Sequence, residues 1–259
     1  MRIARFSTGD DTLFGVIAGQ PCHEEITAIN GDPFLDGVSL TNKTYNLADV
    51  RLLAPITARS KIIGAARNFA ATAEDLDKDA DPGHPLLFMK PYTAVVGPGE
   101  DVVLPKFSTH VTFEAELCAV IGRPCKEVEP DDVKDFIFGY TCGNDLTAKD
   151  AQNTDGQWTR AKGFDTSAPL GPWIETDLDI TDLPVQGRLN GELRQNGNTA
   201  LMIHNVYELI SAISHGLTLL PGDVIMTGTP SGIGQVQAGD SFEVSIEGIG
   251  KLTNPIVRA

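Results

Sequence analysis

The sequence predicts an α+β protein dominated by β-structure, and three observations carry that expectation. Short strand-like runs at 12–18, 25–29, 62–66 and 240–246 recur between Gly, Pro and Asp turns along the 259 residues. Only one long stretch, through Met202, Val206, Leu209, Ile210 and Ile213, keeps the 3.6-residue apolar period of a helix. The run 111–121 alternates as a strand does while carrying two acids, Glu114 and Glu116.

Residues 1–55 read as a small β-rich N-terminal domain, with strands at 12–18 and 25–29 and a segment 45–53 leading to Pro55. The larger domain spans 56–259, and a chain with 41% hydrophobic residues is ample for one sizeable core. It opens on a buried strand, 62–66, followed by Arg67-Asn68-Phe69 and by residues 70–81, dense in alanine and acids, which read as a solvated, mobile helix or loop. Residues 85–91 and 101–105 follow as short strands joined by a turn through Gly97-Pro98-Gly99.

In the run 111–121, Phe113, Ala115, Leu117 and Ala119 point one way, and Glu114, Glu116, Cys118 and Val120 the other. At about 3.3 Å of rise per residue the two acid Cα atoms lie roughly 6.6 Å apart, close enough to share one ion. A solvated edge strand would also carry such a pair. Cys118 and Val120, however, continue the acidic face with residue types that are usually buried. A buried unpaired carboxylate costs several kcal/mol, and binding a metal is one way out. Oxygen donors favour Mg2+, Mn2+ or Ca2+ over zinc. The candidate third acid is Asp145, just past a strand that runs from Ile137 and ends at Gly143; a helix cap is the competing role for it.

Glu129-Pro130-Asp131-Asp132 starts a short helix through Phe136, and residues 156–165 mix aromatic, polar and basic side chains. Residues 183–193 form a hairpin turning at Asn190-Gly191, and Asn198-Thr199 caps the periodic helix. Residues 221–234 give a turn, a buried strand and a glycine-rich loop, and 240–246 is the final strand. That loop is not a phosphate cradle, because no Gly-Lys-Ser/Thr and no helix follow it.

Cys22, Cys118, Cys125 and Cys142 contain no CxxC pair, so neither a disulfide framework nor a zinc site is expected. The net charge of -15 argues against nucleic acid or anionic membrane as a partner, and an anionic substrate needs local positive charge. The five histidines are scattered. No apolar stretch resembles a signal peptide or a membrane span, and the expected location is the cytoplasm.

Several motifs occur in unbroken order: Phe113-Glu114-Ala115-Glu116-Leu117, Gly139-Tyr140-Thr141 with Asn144-Asp145, Asp155-Gly156-Gln157-Trp158, Lys162-Gly163-Phe164-Asp165, Asn190-Gly191-Glu192-Leu193-Arg194-Gln195, and Thr227-Gly228-Thr229-Pro230. With these, residues 55–259 resemble the fumarylacetoacetate hydrolase family. The resemblance implies a mixed β-sandwich roll, a homodimer, and Mg2+ or Mn2+ held by Glu114, Glu116 and Asp145. It also implies hydrolysis, decarboxylation or double-bond isomerisation of small anionic 2-oxo or 2-hydroxydienoic acids. It places Lys162 beside the metal and substrate, Gln152 and Thr229 at substrate contacts, and Arg67-Asn68 at the start of a lid helix.

Two departures weigh on the reaction. Thr72 and Asp75 stand where the family's water-activating histidine and glutamate are usual, and Lys149 replaces an arginine that grips the substrate carboxylate. Decarboxylation or isomerisation, with Lys162 moving the proton, is therefore expected ahead of hydrolysis. Glu74, Asp75 or His84 could replace the missing base, which keeps acylpyruvate hydrolysis as the alternative. A metal-dependent binding module without catalysis is a further one.

Overall fold

The computed structural model describes residues 1–20, 22–57, 59–72 and 83–258. The expectations that fall on residues 73–82, namely the mobile lid and the roles of Glu74 and Asp75, lie outside the described residues.

Strand outweighs helix, and the strands form a mixed β-sandwich roll. The largest sheet has twelve strands. Ten run in the order Leu40–Asn46, Glu25–Ile29, Thr12–Ala18, Arg2–Ser7, Ala168–Glu175, Ile137–Asn144, Ala115–Ile121, Val224–Met226, Ile62–Ala66, Leu86–Lys90, while Arg51–Leu53 pairs with Arg2–Ser7 and Val95–Val96 with Ala168–Glu175 off this path. A five-stranded sheet, ordered Glu192–Asn198, Pro184–Leu189, Ser241–Ile246, Gly250–Arg258 and Val102–Leu104, packs against it. Between them lies the main core, where Leu117 and Ala119 meet Val185, Phe242 and Val244. On the opposite face of the same strand, Cys118 and Val120 join Phe14, Leu170 and Met226 in a second cluster. Both faces of Ala115–Ile121 are thus buried, which is why the run is almost wholly apolar.

Residues 1–55 extend this sheet rather than forming a sheet of their own: Arg2 pairs with Glu175 and Ile3 with Ile174. Phe6, Ile17 and Ile26 make a smaller cluster beneath those N-terminal strands.

Four expectations change. The run 111–121 is two strands broken at Glu114: Val111–Phe113 belongs to a three-stranded sheet with Thr147–Ala148 and Gly234–Gln235. At the break Asn144 Oδ1 accepts from the Glu114 N–H and Gln195 Oε1 from the Ala115 N–H, so side chains replace the ladder. Leu86–Lys90 and Val102–Leu104, expected as short strands joined by a turn, fall in different sheets, pairing with Ile62–Ala66 and Gly250–Arg258 respectively.

The long helix starts at Val206, capped by Asn205 in a capping box with Glu208, whereas Asn198 caps only the short 3-10 turn Thr199–Leu201. Met202 therefore lies outside the helix. Ser241–Ile246 is followed by one more strand, Gly250–Arg258, which pairs with it along its length. The Asn190-Gly191 turn is as expected, with φ of 53° and 83° at the two positions. All four cysteines are free, and no helix among the described residues is long and apolar enough to cross a membrane.

Candidate active site

The break at Glu114 puts two acids at one end of the central strand, and Asp145 follows the neighbouring strand Ile137–Asn144. The Asp145 N–H donates to the Glu114 carbonyl at 2.9 Å, which ties the strand ends together. Asp145 caps no helix; the next one, Lys149–Thr154, begins after Ala148. One carboxylate oxygen from each of Glu114, Glu116 and Asp145 lies within 4.8 Å of the others, and all three residues are buried.

Lys162, at the end of the short helix Thr159–Lys162, is also buried. Its ammonium donates to Glu114 Oε2 at 3.1 Å and pairs with Asp145 Oδ2. Thr147 Oγ1 donates to Glu114 Oε1 at 2.8 Å, and the Gly228 N–H donates to Glu116 Oε2 at 2.9 Å. The glycine-rich loop therefore serves a carboxylate.

A cleft of about 500 Å3 opens beside this cluster and is lined by Arg67, Glu114, Lys149, Gln152, Trp158, Lys162 and Thr229. Each residue expected to bind substrate thus reaches one cavity. Lys149 lies 3.7 Å from Glu114 Oε1 and donates to Gln152 Oε1 at 3.0 Å. Thr229 Oγ1 donates to the Ala115 carbonyl at 2.8 Å and accepts from Gln195 Nε2. Arg67 adopts φ of 57°, in the left-handed region, next to a buried Asn68 whose side chain bonds the Thr227 and His204 carbonyls. Thr72 and His84 are exposed, and no histidine is among the described residues lining the cleft.

Lys90 went unnoticed in the sequence. It is 1% exposed, and its ammonium lies 2.7 Å from Asp145 Oδ1. It sits two residues after buried Phe88 on the inner face of Leu86–Lys90, a period-2 position where a lysine needs a partner.

These charges set one another. Burial, then the charges of Asp145 and Glu114, push the Glu116 carboxyl well above the usual range. Burial likewise raises Glu114, although Lys162 opposes it. Burial would raise Asp145 too, but Lys162 and Lys90 outweigh it and hold that carboxyl low. Burial works against the Lys162 ammonium, yet Asp145 and Glu114 hold its pKa above the ordinary lysine value. Lys90 is lowered, chiefly by burial.

The donor set fits a hard divalent cation: three oxygen ligands converge, and buried Asp145 Oδ1 accepts no well-directed hydrogen bond, only the Lys90 ion pair. Carboxyl pKa values raised by burial, as those of Glu114 and Glu116 are, are what ligands without their ion show.

Fold and site together define a β-roll protein with a buried carboxylate triad opening onto a cationic cleft. Residues 61–257 match the family model described as fumarylacetoacetate (FAA) hydrolase C-terminal, and residues 1–55 match one described as Rv2993c-like, N-terminal. The chain belongs to the fumarylacetoacetate hydrolase family and is an enzyme. It is similar to a structure described as 5-carboxymethyl-2-hydroxymuconate delta-isomerase from Mycobacterium smegmatis, with a TM-score of 0.93, 46% identity and full coverage of both chains. The oxaloacetate tautomerase of Bacillus subtilis is 39% identical over 82% of this chain and 75% of that one. A maleylpyruvate hydrolase from Sphingobium sp. SYK-6, in complex with manganese(II) and pyruvate, superposes with a TM-score of 0.81 at 30% identity, covering both chains fully. Catalytic membership sets aside the binding-module alternative.

Proposed function

We propose that the protein moves a proton at the carbon beside the oxo group of a small 2-oxo or 2-hydroxydienoic (di)acid, as a double-bond isomerase or tautomerase, with decarboxylation as the related outcome. The observation that carries this is Lys162, a buried ammonium bonded to two carboxylates and facing a cleft whose described lining has no imidazole. With Glu114 and Asp145 engaged on a divalent cation, their hold on the Lys162 proton is relieved, so that the free amine takes the proton from one carbon and returns it to another. Mg2+ or Mn2+ held by Glu114, Glu116 and Asp145 supplies positive charge that stabilises an anion developing on the oxo oxygen.

The residues of the chain do the rest. Lys149 and Arg67 meet the substrate carboxylates, Lys149 as a point charge rather than a bidentate fork. Gln152 and Thr229 orient the substrate, and Trp158 walls the cleft from water. With the three carboxylates ionised around a divalent cation, the ammoniums of Lys90 and Lys162 bring the buried centre to about one positive charge, and Lys149 and Arg67 add to it at the cleft wall. That local balance admits an anion to a chain whose net charge is -15.

The test is a panel of enol-oxaloacetate, 2-hydroxyhepta-2,4-dienedioate and acetylpyruvate, each with and without Mg2+ or Mn2+. Metal-dependent isomerisation or tautomerisation faster than acetylpyruvate cleavage is expected; the reverse order overturns the proposal. The maleylpyruvate hydrolase relative favours hydrolytic cleavage as the second reading, with Glu74, Asp75 or His84 as the base.

The division into residues 1–55 and 56–259 is part of the same proposal and is supported by the two separate family matches. A cytoplasmic location and a homodimer are further parts of the proposal, independent of those matches. Exposed Leu86, Leu87 and Met89 on the outermost strand support self-association, and light scattering after size exclusion tests it.

A further inference from the structure

We infer that Lys90 is a positioning residue for this centre: its ammonium fixes the Asp145 carboxylate and the backbone of Lys162 relative to one another. The inference rests on the proposed metal and proton-transfer roles of those two residues.

Lys90 reaches across three segments of chain. Besides the Asp145 pair, its Nζ donates to the carbonyls of Leu146 at 3.1 Å, Lys162 at 2.6 Å and Ser167 at 2.8 Å, and to Ser167 Oγ at 3.2 Å. An ammonium has three protons, so five oxygens leave no donor idle. Two of its partners are a carboxylate and a backbone carbonyl of the residues that the reaction needs held together. A third, Leu146, follows Asp145 directly. Ser167 closes the ring, since its Oγ donates to the Lys162 carbonyl at 2.7 Å and its carbonyl accepts from the Leu146 N–H at 3.0 Å.

The strand that presents Lys90 holds the other end of the pair as well. Two residues earlier, Phe88 lies with its ring centroid 4.5 Å from Lys162 Nζ, a cation-π contact. Phe88 can stand there because Gly64, its partner on the neighbouring strand, has no Cβ; one added would come within 2.1 Å of the ring. After Lys90, Pro91 packs against Gly163, where a Cβ would come 2.9 Å from the proline ring. Successive inward positions of one strand thus brace Lys162 from its side chain and from its carbonyl.

Fold stability alone gives a poor reason for a lysine here. A buried ammonium pays a desolvation cost of several kcal/mol, and an apolar side chain on the same inner face would be cheaper. The charge is placed where it offsets one metal-ligating carboxylate and leaves the other oxygen of that carboxylate to Lys162.

The experiment compares wild type, Lys90→Met, and Lys61→Met, a part-exposed lysine whose pair with buried Asp223 at 2.5 Å lies away from the cleft. Mn2+ affinity is measured by calorimetry without substrate, alongside kcat and KM for the best substrate of the panel. Outer partners of metal ligands typically contribute about 10- to 100-fold. Lys90→Met is expected to weaken Mn2+ by that factor and to lower kcat more than it raises KM, while Lys61→Met leaves both near wild type. Native-like circular dichroism with Mn2+ affinity within about twofold of wild type overturns the inference and leaves the proposed function standing. Absence of Mn2+ binding by wild type overturns the metal reading itself, and is seen before any variant is made. Should Lys90→Met fail to fold, a crystal structure of the wild type with Mn2+ decides: the Lys90–Asp145 pair is expected intact, and a broken pair overturns the inference.

Discussion

Gly228 gives its backbone N–H to Glu116 Oε2 at 2.9 Å, and it can do so only as a glycine. Its φ is 96°, and a Cβ there would stand 2.9 Å from Asn68 Cβ. Asn68 in turn is fixed by bonds to the Thr227 and His204 carbonyls, so neither partner can retreat cheaply. Gly228→Ala is therefore expected to cost about 1–3 kcal/mol in urea denaturation and to weaken Mn2+ binding in the same protein. Unchanged Mn2+ affinity would show that this loop does not shape the carboxylate.

Glu116 itself separates function from stability. Its carboxyl is pushed well above the usual range by burial and by Asp145 and Glu114, so it is a cost to the metal-free fold. Glu116→Gln keeps an acceptor for the Gly228 N–H. Mg2+ binding by calorimetry should disappear and activity with it, while the metal-free melting temperature stays level or rises. Retained Mg2+ affinity would remove Glu116 from the ligand set.

The same shifts give a pH dependence with a definite sign. From about pH 4.5 upward the unfolded chain ionises Glu114 and Glu116 while the folded chain retains their protons, so metal-free stability falls as pH rises towards their raised values. Asp145 acts oppositely, but only on the acid side: its contribution, present above 3.8, is lost as pH falls through its lowered value. Metal binding must displace the glutamate protons, so affinity should rise with pH and release protons to buffer. Calorimetry in two buffers of different ionisation enthalpy measures that count. No proton release at any pH above about 4.5 would contradict the raised direction.

How far this site was legible follows from where each partner sits in the chain. Glu116 was readable because alternation placed it on the face of Cys118 and Val120, a local pattern that the buried strand kept; the same alternation pointed to Glu114, although it sits at the break between two strands. Lys90 was not, because its partners are mostly carbonyls 56, 72 and 77 residues away, and backbone groups carry no sequence signal. The break at Glu114 was hidden for a related reason: Asn144 and Gln195 side chains replace ladder bonds at a point where the residue pattern continues unbroken. For the long helix, two asparagines offered caps seven residues apart. The one with Glu three residues on, Asn205, completes a capping box, and that signal was available.

Lys149 tests the reading of the cleft. It faces Glu114 and Gln152 from the cavity wall, half-buried, with its ammonium beside the space an anion would enter. Lys149→Ala should raise KM for a 2-oxo acid roughly tenfold or more with a smaller change in kcat, since a lost charge-assisted bond costs about 1.5–3 kcal/mol. A fall in kcat alone would place Lys149 in the chemistry instead of in binding.

Thr72 bears on the choice between isomerisation and hydrolysis. It is exposed, close in sequence to Arg67 of the cleft, and it stands where a water-activating histidine is usual in the hydrolytic pattern. A threonine hydroxyl cannot take a proton from water near neutral pH. An imidazole with a pKa near 6.5 can, and a positioned base contributes about 10² to 10⁴ in rate. Thr72→His should therefore raise acetylpyruvate cleavage at least severalfold, while proton transfer through Lys162 stays level or slows from crowding. Both rates are measured at saturating Mg2+ on the same preparation. Efficient cleavage by the wild type that survives removal of Glu74, Asp75 and His84 one at a time would show that water is activated without any of them, and hydrolysis would then displace isomerisation as the proposed reaction.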